Sequence, residues 1–240
     1  MKSKTESEWF KKCLDYYKNG QNCNIILTWT NKQADIYNQK LRELLFKKTN
    51  VNRFEIGDIL MLSDFYNLED DNVDYLKDDA GETKFYTSEQ IKIVKIEESI
   101  QKSNDFNTSL NKKAMKLQNA KTYESKYKQA IELINKTTKR SYMCWKLTVQ
   151  KLTDDKEKRA NSIIYVIHEK DHKNWTTEKD FISDTIRKLG KLLVSKFREK
   201  RTTIETNIIK PLWKEWHGNI IEPYANVNYG YAITCHKGQG

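Results

Sequence analysis

Within the first fifty residues, one segment is a short apolar run and the segment that follows it has apolar residues at helical spacing. Residues 24–30 are apolar and β-rich, which predicts a buried strand. Asn31 is placed to cap a following helix, and residues 6–18 predict a helical lead before the strand. A strand, a polar turn and a helix form half of an α/β unit. The apolar positions of the second helix recur at helical spacing and are Ala34, Tyr37, Leu41, Leu44 and Leu45.

The pattern changes to short alternating runs after residue 53. Gly57 and Asp58 precede an apolar run at residues 59–62, and apolar residues alternate again over 91–96. Two further β-rich runs, residues 143–149 and 162–167, flank a charged turn and predict a hairpin. These runs predict the strands of a β-barrel or sandwich.

Three other stretches favour helices. Residues 99–139 are polar and rich in Lys and Asn, with a helical part around 114–134. Residues 178–201 follow a helical period with basic residues on the opposite face, and residues 211–216 form an aromatic turn or short helix. The basic positions are a solvated face or a track for phosphates, and Trp213 and Trp216 are core residues or base-stacking residues.

The net charge and the cysteine spacing narrow the possible partners of the protein and the compartment in which it functions. The net charge of +10 and pI near 9.2 attract polyanions, so nucleic acid is the first partner to consider, beside a merely Lys-rich solvated surface. The four cysteines form no C-x-x-C pair, which indicates a reducing, intracellular compartment. No apolar run approaches the ~20 residues of a membrane span, so we expect a soluble protein without a membrane partner.

The segment from Tyr229 to Gly240 carries the most specific motif. It resembles motif V of superfamily 1B DNA helicases of the RecD and Dda type, which have a UvrD-like C-terminal helicase domain. Two earlier segments resemble the same family in the order it requires: residues 28–38 resemble motif IV, and residues 54–58 resemble the opening of its SH3-like barrel. The motif V residues that match are Ala232, Thr234, His236, Lys237, Gln239 and Gly240.

The resemblance implies a fold and a set of sites. The fold class is α/β: an incomplete RecA-like second helicase domain, of the P-loop NTPase type, with an inserted SH3-like β-barrel and helical insertions. Its implied parts are a lead at 1–20, a RecA-like part at 21–52, the insertion at 53–222 and the RecA-like return at 223–240. Gln239 and Gly240 would lie toward an ATP cleft. The implied contacts to single-stranded DNA are Thr30, Asn31, Asn38, Thr234, His236 and Lys237, although Asn31 is equally explained as a helix cap.

The sequence lacks the motifs that bind and hydrolyse ATP in this family. It contains no G-x-x-x-x-G-K-[ST] phosphate loop, no acidic Mg²⁺ strand motif and no Arg-bearing motif VI after Gly240. We therefore expect this chain to bind no ATP or Mg²⁺ alone and to be inactive. It resembles a truncated part of an ATP-dependent 5′ to 3′ helicase, whose first RecA-like domain would be its partner. The alternative is a non-catalytic single-strand-binding replication accessory protein. The Lys, Asn and Ile bias suggests an A/T-rich genome, such as a viral one.

One competing motif points to a zinc metalloprotease. His168, Glu169 and His172 satisfy H-E-x-x-H, in which two His bind zinc and the Glu activates water. The motif directly follows a β-branched strand, and its intervening residues are Lys170 and Asp171, where an active-site helix needs apolar packing. A strand-to-helix connection is the favoured interpretation, and no metal site is predicted.

Overall fold

The structure is a computed structural model that describes residues 7–19, 25–67, 84–152 and 161–235. The chain divides into two compact units. The first unit comprises Met1–Glu98, Trp145–Val166 and Ala225–Gly240. The second unit comprises Ser99–Cys144 and Ile167–Tyr224. The sequence segment 53–222, predicted as one insertion, is therefore shared between the units.

The α/β part of the first unit is built from both ends of the chain. Strand β1 (Ile26–Thr28) pairs in parallel with β9 (Ala232–Thr234), with Thr28 opposite Thr234. Helices α1 (Glu8–Lys18) and α2 (Asn31–Phe46) pack with this pair around a buried apolar core. Parallel strands require a crossover connection, and here the whole intervening chain supplies it.

Three details of this part differ from the sequence prediction. Thr30, not Asn31, caps α2, because its Oγ1 accepts a hydrogen bond from Gln33 N at 3.2 Å. The strand β1 is not buried on both faces, since Leu27 is 61% exposed while Ile26 and Thr28 are buried. Leu44, predicted as a core residue, is also partly exposed. The helix and strand types were confirmed, and the errors concern the residue that caps α2 and the apolar side chains that are buried.

Most of the first unit is an antiparallel sheet. Its five strands have the order β7-β6-β5-β2-β8, and their apolar side chains form one core with the small pair β3–β4. β2 pairs on opposite sides with β5 and β8. The bounds are β2 Ile59–Leu62, β3 Tyr66–Asn67, β4 Lys84–Phe85, β5 Gln90–Lys102, β6 Ser141–Lys151, β7 Asn161–Ile167 and β8 Val227–Tyr229.

The second unit is mainly helical. It contains α3 (Lys112–Met115), α4 (Ala120–Thr137), α5 (Glu169–Lys196), a 3₁₀ turn at Arg198–Lys200, α6 (Arg201–Ile204) and α7 (Lys210–Trp216), with π-helical turns at Glu205–Ile209 and His217–Ile221. Helix α5 begins nine residues before its predicted start at residue 178. Trp213 and Trp216 pack against the helical core, as their core interpretation predicts. In the described part of the chain, no helix is long and apolar enough to cross a membrane.

A buried ion pair joins helix α2 to the sheet of the first unit. Arg42 is 1% exposed and Asp58 is fully buried, and Arg42 Nη2 lies 2.7 Å from Asp58 Oδ2. The hydroxyl of Tyr231 donates to Asp58 Oδ1 at 2.9 Å and accepts from Ile59 N at 3.1 Å. Burial raises the pKa of the Asp58 carboxyl, and hydrogen bonds from Arg42 and Tyr231 oppose that rise. The pair and Tyr231 therefore link α2 to the residues that immediately precede β2 and β9.

Arg42→Met tests the contribution of this ion pair to stability. The substitution leaves the buried Asp58 carboxylate without its cation, so we expect the free energy of unfolding to fall by about 3 to 5 kcal/mol. Lys40→Met, on the same helix, removes only an exposed partner of Glu43 and should cost less than about 1 kcal/mol. Urea denaturation followed by circular dichroism measures both variants, and equal losses would contradict the structural role of Arg42.

Candidate functional site

The candidate site is a cavity in the first unit. It has a volume of about 550 Å³ and is bounded by α2, β2, β8 and β9. Three of the predicted site residues, Asn31, Asn38 and Thr234, lie in its wall. The remaining lining residues are Ala34, Asp35, Arg53, Phe54, Leu60, Met61, Leu62, Ser63, Thr87, Ser88, Val227, Asn228, Tyr229, Ala232 and Ile233.

The parallel pair β1–β9 brings two predicted motifs to one edge. Thr28 and Thr234 are opposite each other at the carboxyl ends of these strands, and both are buried. The hydroxyl of Thr28 donates to the carbonyl of Ile233 at 3.1 Å. Ligands of α/β sheets bind outside the carboxyl ends of strands, so the two segments predicted as motifs IV and V converge at the edge where such a site is placed.

Helix α2 begins at the same edge. Thr30 caps the helix and Asn31 is its first residue, exposed and lining the cavity. The amino end of a sixteen-residue helix carries a positive partial charge, which favours anionic or hydrogen-bond-accepting groups nearby. Asp35, one turn later, adds a carboxylate to the same wall.

Asn38 has a structural role in this site. It is 4% exposed, and its amide binds both backbone groups of Ala232: Nδ2 donates to the carbonyl at 2.9 Å, and Oδ1 accepts from the N–H at 2.8 Å. This two-bond contact ties α2 to β9. The sequence predicts that Asn38 contacts DNA, and this contact stays a prediction. The bonds to Ala232 explain why an amide is buried here.

Several lining residues were missed by the sequence reading. Arg53 supplies a cation, and its side chain lies over the Phe54 ring at 5.1 Å. Asn228 donates to Ser63 Oγ, which joins β8 to the turn after β2. Tyr229 donates from its hydroxyl to the carbonyl of Arg53 at 2.7 Å, and Arg42 lies over its ring at 4.0 Å. These residues come from distant segments, so no local motif could have grouped them.

The charge of the cavity is balanced. Arg53 contributes one positive and Asp35 one negative charge, and the other polar lining groups are hydroxyls and amides. Such a wall offers hydrogen-bond donors and acceptors rather than a strong positive field. It suits a ligand that presents several polar groups, including phosphates, sugars and base edges.

The end of the predicted motif V lies outside the described residues. His236, Lys237, Gln239 and Gly240, assigned from the sequence to DNA contact or to the ATP cleft, are among them. Of the eight predicted site residues, Thr30, Asn31, Asn38 and Thr234 are therefore the ones that the structure places, and all four belong to the α2–β9 edge.

The H-E-x-x-H motif forms a helix start. Strand β7 ends at Ile167, and His168 caps α5, its Nδ1 accepting from Lys170 N at 3.1 Å. His168 is buried at 5% exposure, whereas His172 is exposed and contacts the Trp175 ring. Within residues 7–19, 25–67, 84–152 and 161–235, no three His, Cys, Asp or Glu side chains are grouped as metal ligands. The arrangement is that of a strand-to-helix connection.

Comparison with known proteins finds a distant similarity to a viral protein. No protein family model matches the chain. The "Uncharacterized protein R530" of Acanthamoeba polyphaga mimivirus is 26% identical over 235 residues, which is 98% of this chain and 43% of the mimivirus protein. The chain thus spans less than half the length of that relative. The similarity extends over both units.

Asn38→Leu tests the structural role of this amide. The substitution keeps a similar volume but leaves the Ala232 N–H and carbonyl without partners. At about 1 to 3 kcal/mol for each of these two buried groups, we expect the free energy of unfolding to fall by about 2 to 6 kcal/mol. The neighbouring Gln39→Leu, at an exposed position, should change stability by about 0.5 kcal/mol or less. If urea denaturation shows that Asn38→Leu loses no more stability than Gln39→Leu, the structural role of Asn38 is wrong.

Proposed function

We propose that the first unit binds single-stranded DNA at the cavity edge, as the nucleic-acid-binding half of an ATP-dependent helicase. One observation supports this most. The parallel register places Thr28 beside Thr234, so that segments resembling motifs IV and V, about two hundred residues apart, share one edge. The resemblance assigns strand contacts to both segments.

The side chains that line the cavity favour single-stranded DNA as the ligand rather than a compact anion. Amides and hydroxyls at Asn31, Ser63 and Asn228 can bind sugars, phosphates and base edges without a high positive charge. Tyr229 and Phe54 add aromatic surface to the wall. In this proposal Thr30, Asn31 and Thr234 contact the strand, together with His236 and Lys237.

Hydrolysis of ATP would belong to a longer protein. In the proposed helicase, a first RecA-like domain supplies the phosphate loop and Mg²⁺ site, and Gln239 and Gly240 face the shared cleft. The five-stranded sheet would correspond to the SH3-like barrel of that family. The mimivirus relative has more than half its length outside the matched segment, which leaves room for such a domain. A viral origin is compatible with this relative.

Asn31→Asp separates strand binding from folding. An acidic residue in the first helical turn favours α2, so the variant should be as stable as the original chain. The added charge repels phosphates at the cavity, and we expect the affinity for a fluorescein-labelled oligo(dT) to fall by about tenfold at low salt. Fluorescence anisotropy measures the affinity.

Asn50→Asp is the matched control. It adds the same charge at an exposed position of the first unit that does not line the cavity. The affinity should then change by less than about twofold, since an isolated exposed charge is largely screened by salt. Equal losses in the two variants, or no binding of oligo(dT) by the unmodified chain, would refute the proposed strand site.

A further inference from the structure

The excess positive charge of the protein is confined to one end of the second unit. The sequence of this unit contains 22 Lys and Arg against 12 Asp and Glu, whereas the first unit contains 21 of each. Within the second unit, residues 111–123 and 185–204 hold 11 basic residues and a single acidic one, Glu199. The rest of the unit is balanced, with 11 of each sign.

These two segments meet in the structure. The rings of Tyr123, at the start of α4, and Phe197, at the end of α5, pack edge to face with centroids 4.8 Å apart. Asn111, which caps α3, also donates to the carbonyl of Asn207, three residues beyond the second segment, at 3.2 Å. We call the exposed basic side chains of the two segments the basic end; they are Lys112, Lys113, Lys116, Lys121, Arg187, Lys188, Lys191, Lys196, Arg198, Lys200 and Arg201.

Helix stability does not account for the basic end. A cation near a helix carboxyl terminus is favourable, as for Lys196 in the last turn of α5. Lys121, however, lies in the first turn of the eighteen-residue helix α4, where a cation opposes the helix dipole and no acidic residue of that turn offsets it. Arg187 and Arg201 form ion pairs with Asp184 and Glu205, and both pairs are exposed, where such pairs contribute little.

The chemistry of the surface selects a partner. Both segments are described throughout, and their aromatic residues, Tyr123 and Phe197, are not exposed. Single-strand binding relies on exposed aromatic rings on which bases stack. A double helix instead keeps its bases stacked inside and presents a regular row of phosphates to lysine and arginine. We propose that the basic end binds the phosphate backbone of duplex DNA, at a site independent of the proposed strand site.

Two variants with the same charge change test this inference. The first replaces Lys116, Lys121, Lys191 and Lys196 of the basic end by Gln. The matched control replaces Lys136, Lys139, Lys170 and Lys173 by Gln; these are also exposed lysines of the second unit but lie outside the basic end. Binding of a short labelled blunt-ended duplex is followed by anisotropy over a salt series, and circular dichroism checks the helices.

We expect the basic-end variant to lose at least about tenfold in duplex affinity, and its slope of log affinity against log salt to fall by about 3. The control should lose less than about threefold, with nearly the original slope, since it removes no phosphate contact. Lys112, Lys113, Lys188 and Lys200→Gln provide a second basic-end variant with the same expected loss. Asn31→Asp should leave duplex binding unchanged, which separates this site from the cavity.

Two results would overturn the inference. If the control variant loses as much duplex affinity as the basic-end variants, the effect is one of net charge and the basic end is not a binding surface. If the unmodified chain fails to bind the duplex even at low salt, the surface does not recognise a DNA backbone. Either result leaves the proposed single-strand site to be judged by its own assay.

Discussion

The ion pair between Arg42 and Asp58 is buried where three separated segments of the chain meet. Arg42 comes from the helix after β1, Asp58 precedes the first strand of the five-stranded sheet, and Tyr231 belongs to the return toward β9. Arg42 and Tyr231 both donate to this carboxylate, and the loss of Arg42 leaves a buried negative charge without its cation. This joint holds the sheet against the α/β part and thereby shapes one wall of the cavity.

The return of the chain to its own beginning creates the candidate site. A parallel pair of three residues is too short to be stable alone, and the amide of Asn38 and the apolar core of α1 and α2 support it. Because the two strands run in the same direction, their following segments leave from one edge. A pair of sequence motifs separated by a whole sheet and a helical unit thus becomes one surface.

Sequence periodicity predicted the element types well because local patterns determine them. The strand and helix at residues 24–45 and the strands predicted at 59–62, 143–149 and 162–167 were confirmed within a few residues. The cationic helix α5 begins nine residues before its predicted start, and β5 extends six residues past its predicted end. Features that depend on distant partners were not predictable. No local pattern marks Arg42 as a buried residue, because its burial depends on Asp58. The cavity wall formed by Arg53, Ser63 and Asn228 likewise has no local signature.

Hydrogen–deuterium exchange with and without oligo(dT) tests the central claim most directly, because it reports both edge segments in one experiment. If strand binding occurs where β1 and β9 end, residues 29–35 and the residues around Thr234 should gain protection together, while α4 is unchanged. Protection of only one of the two segments, or protection confined to the second unit, would contradict the account of a shared edge site.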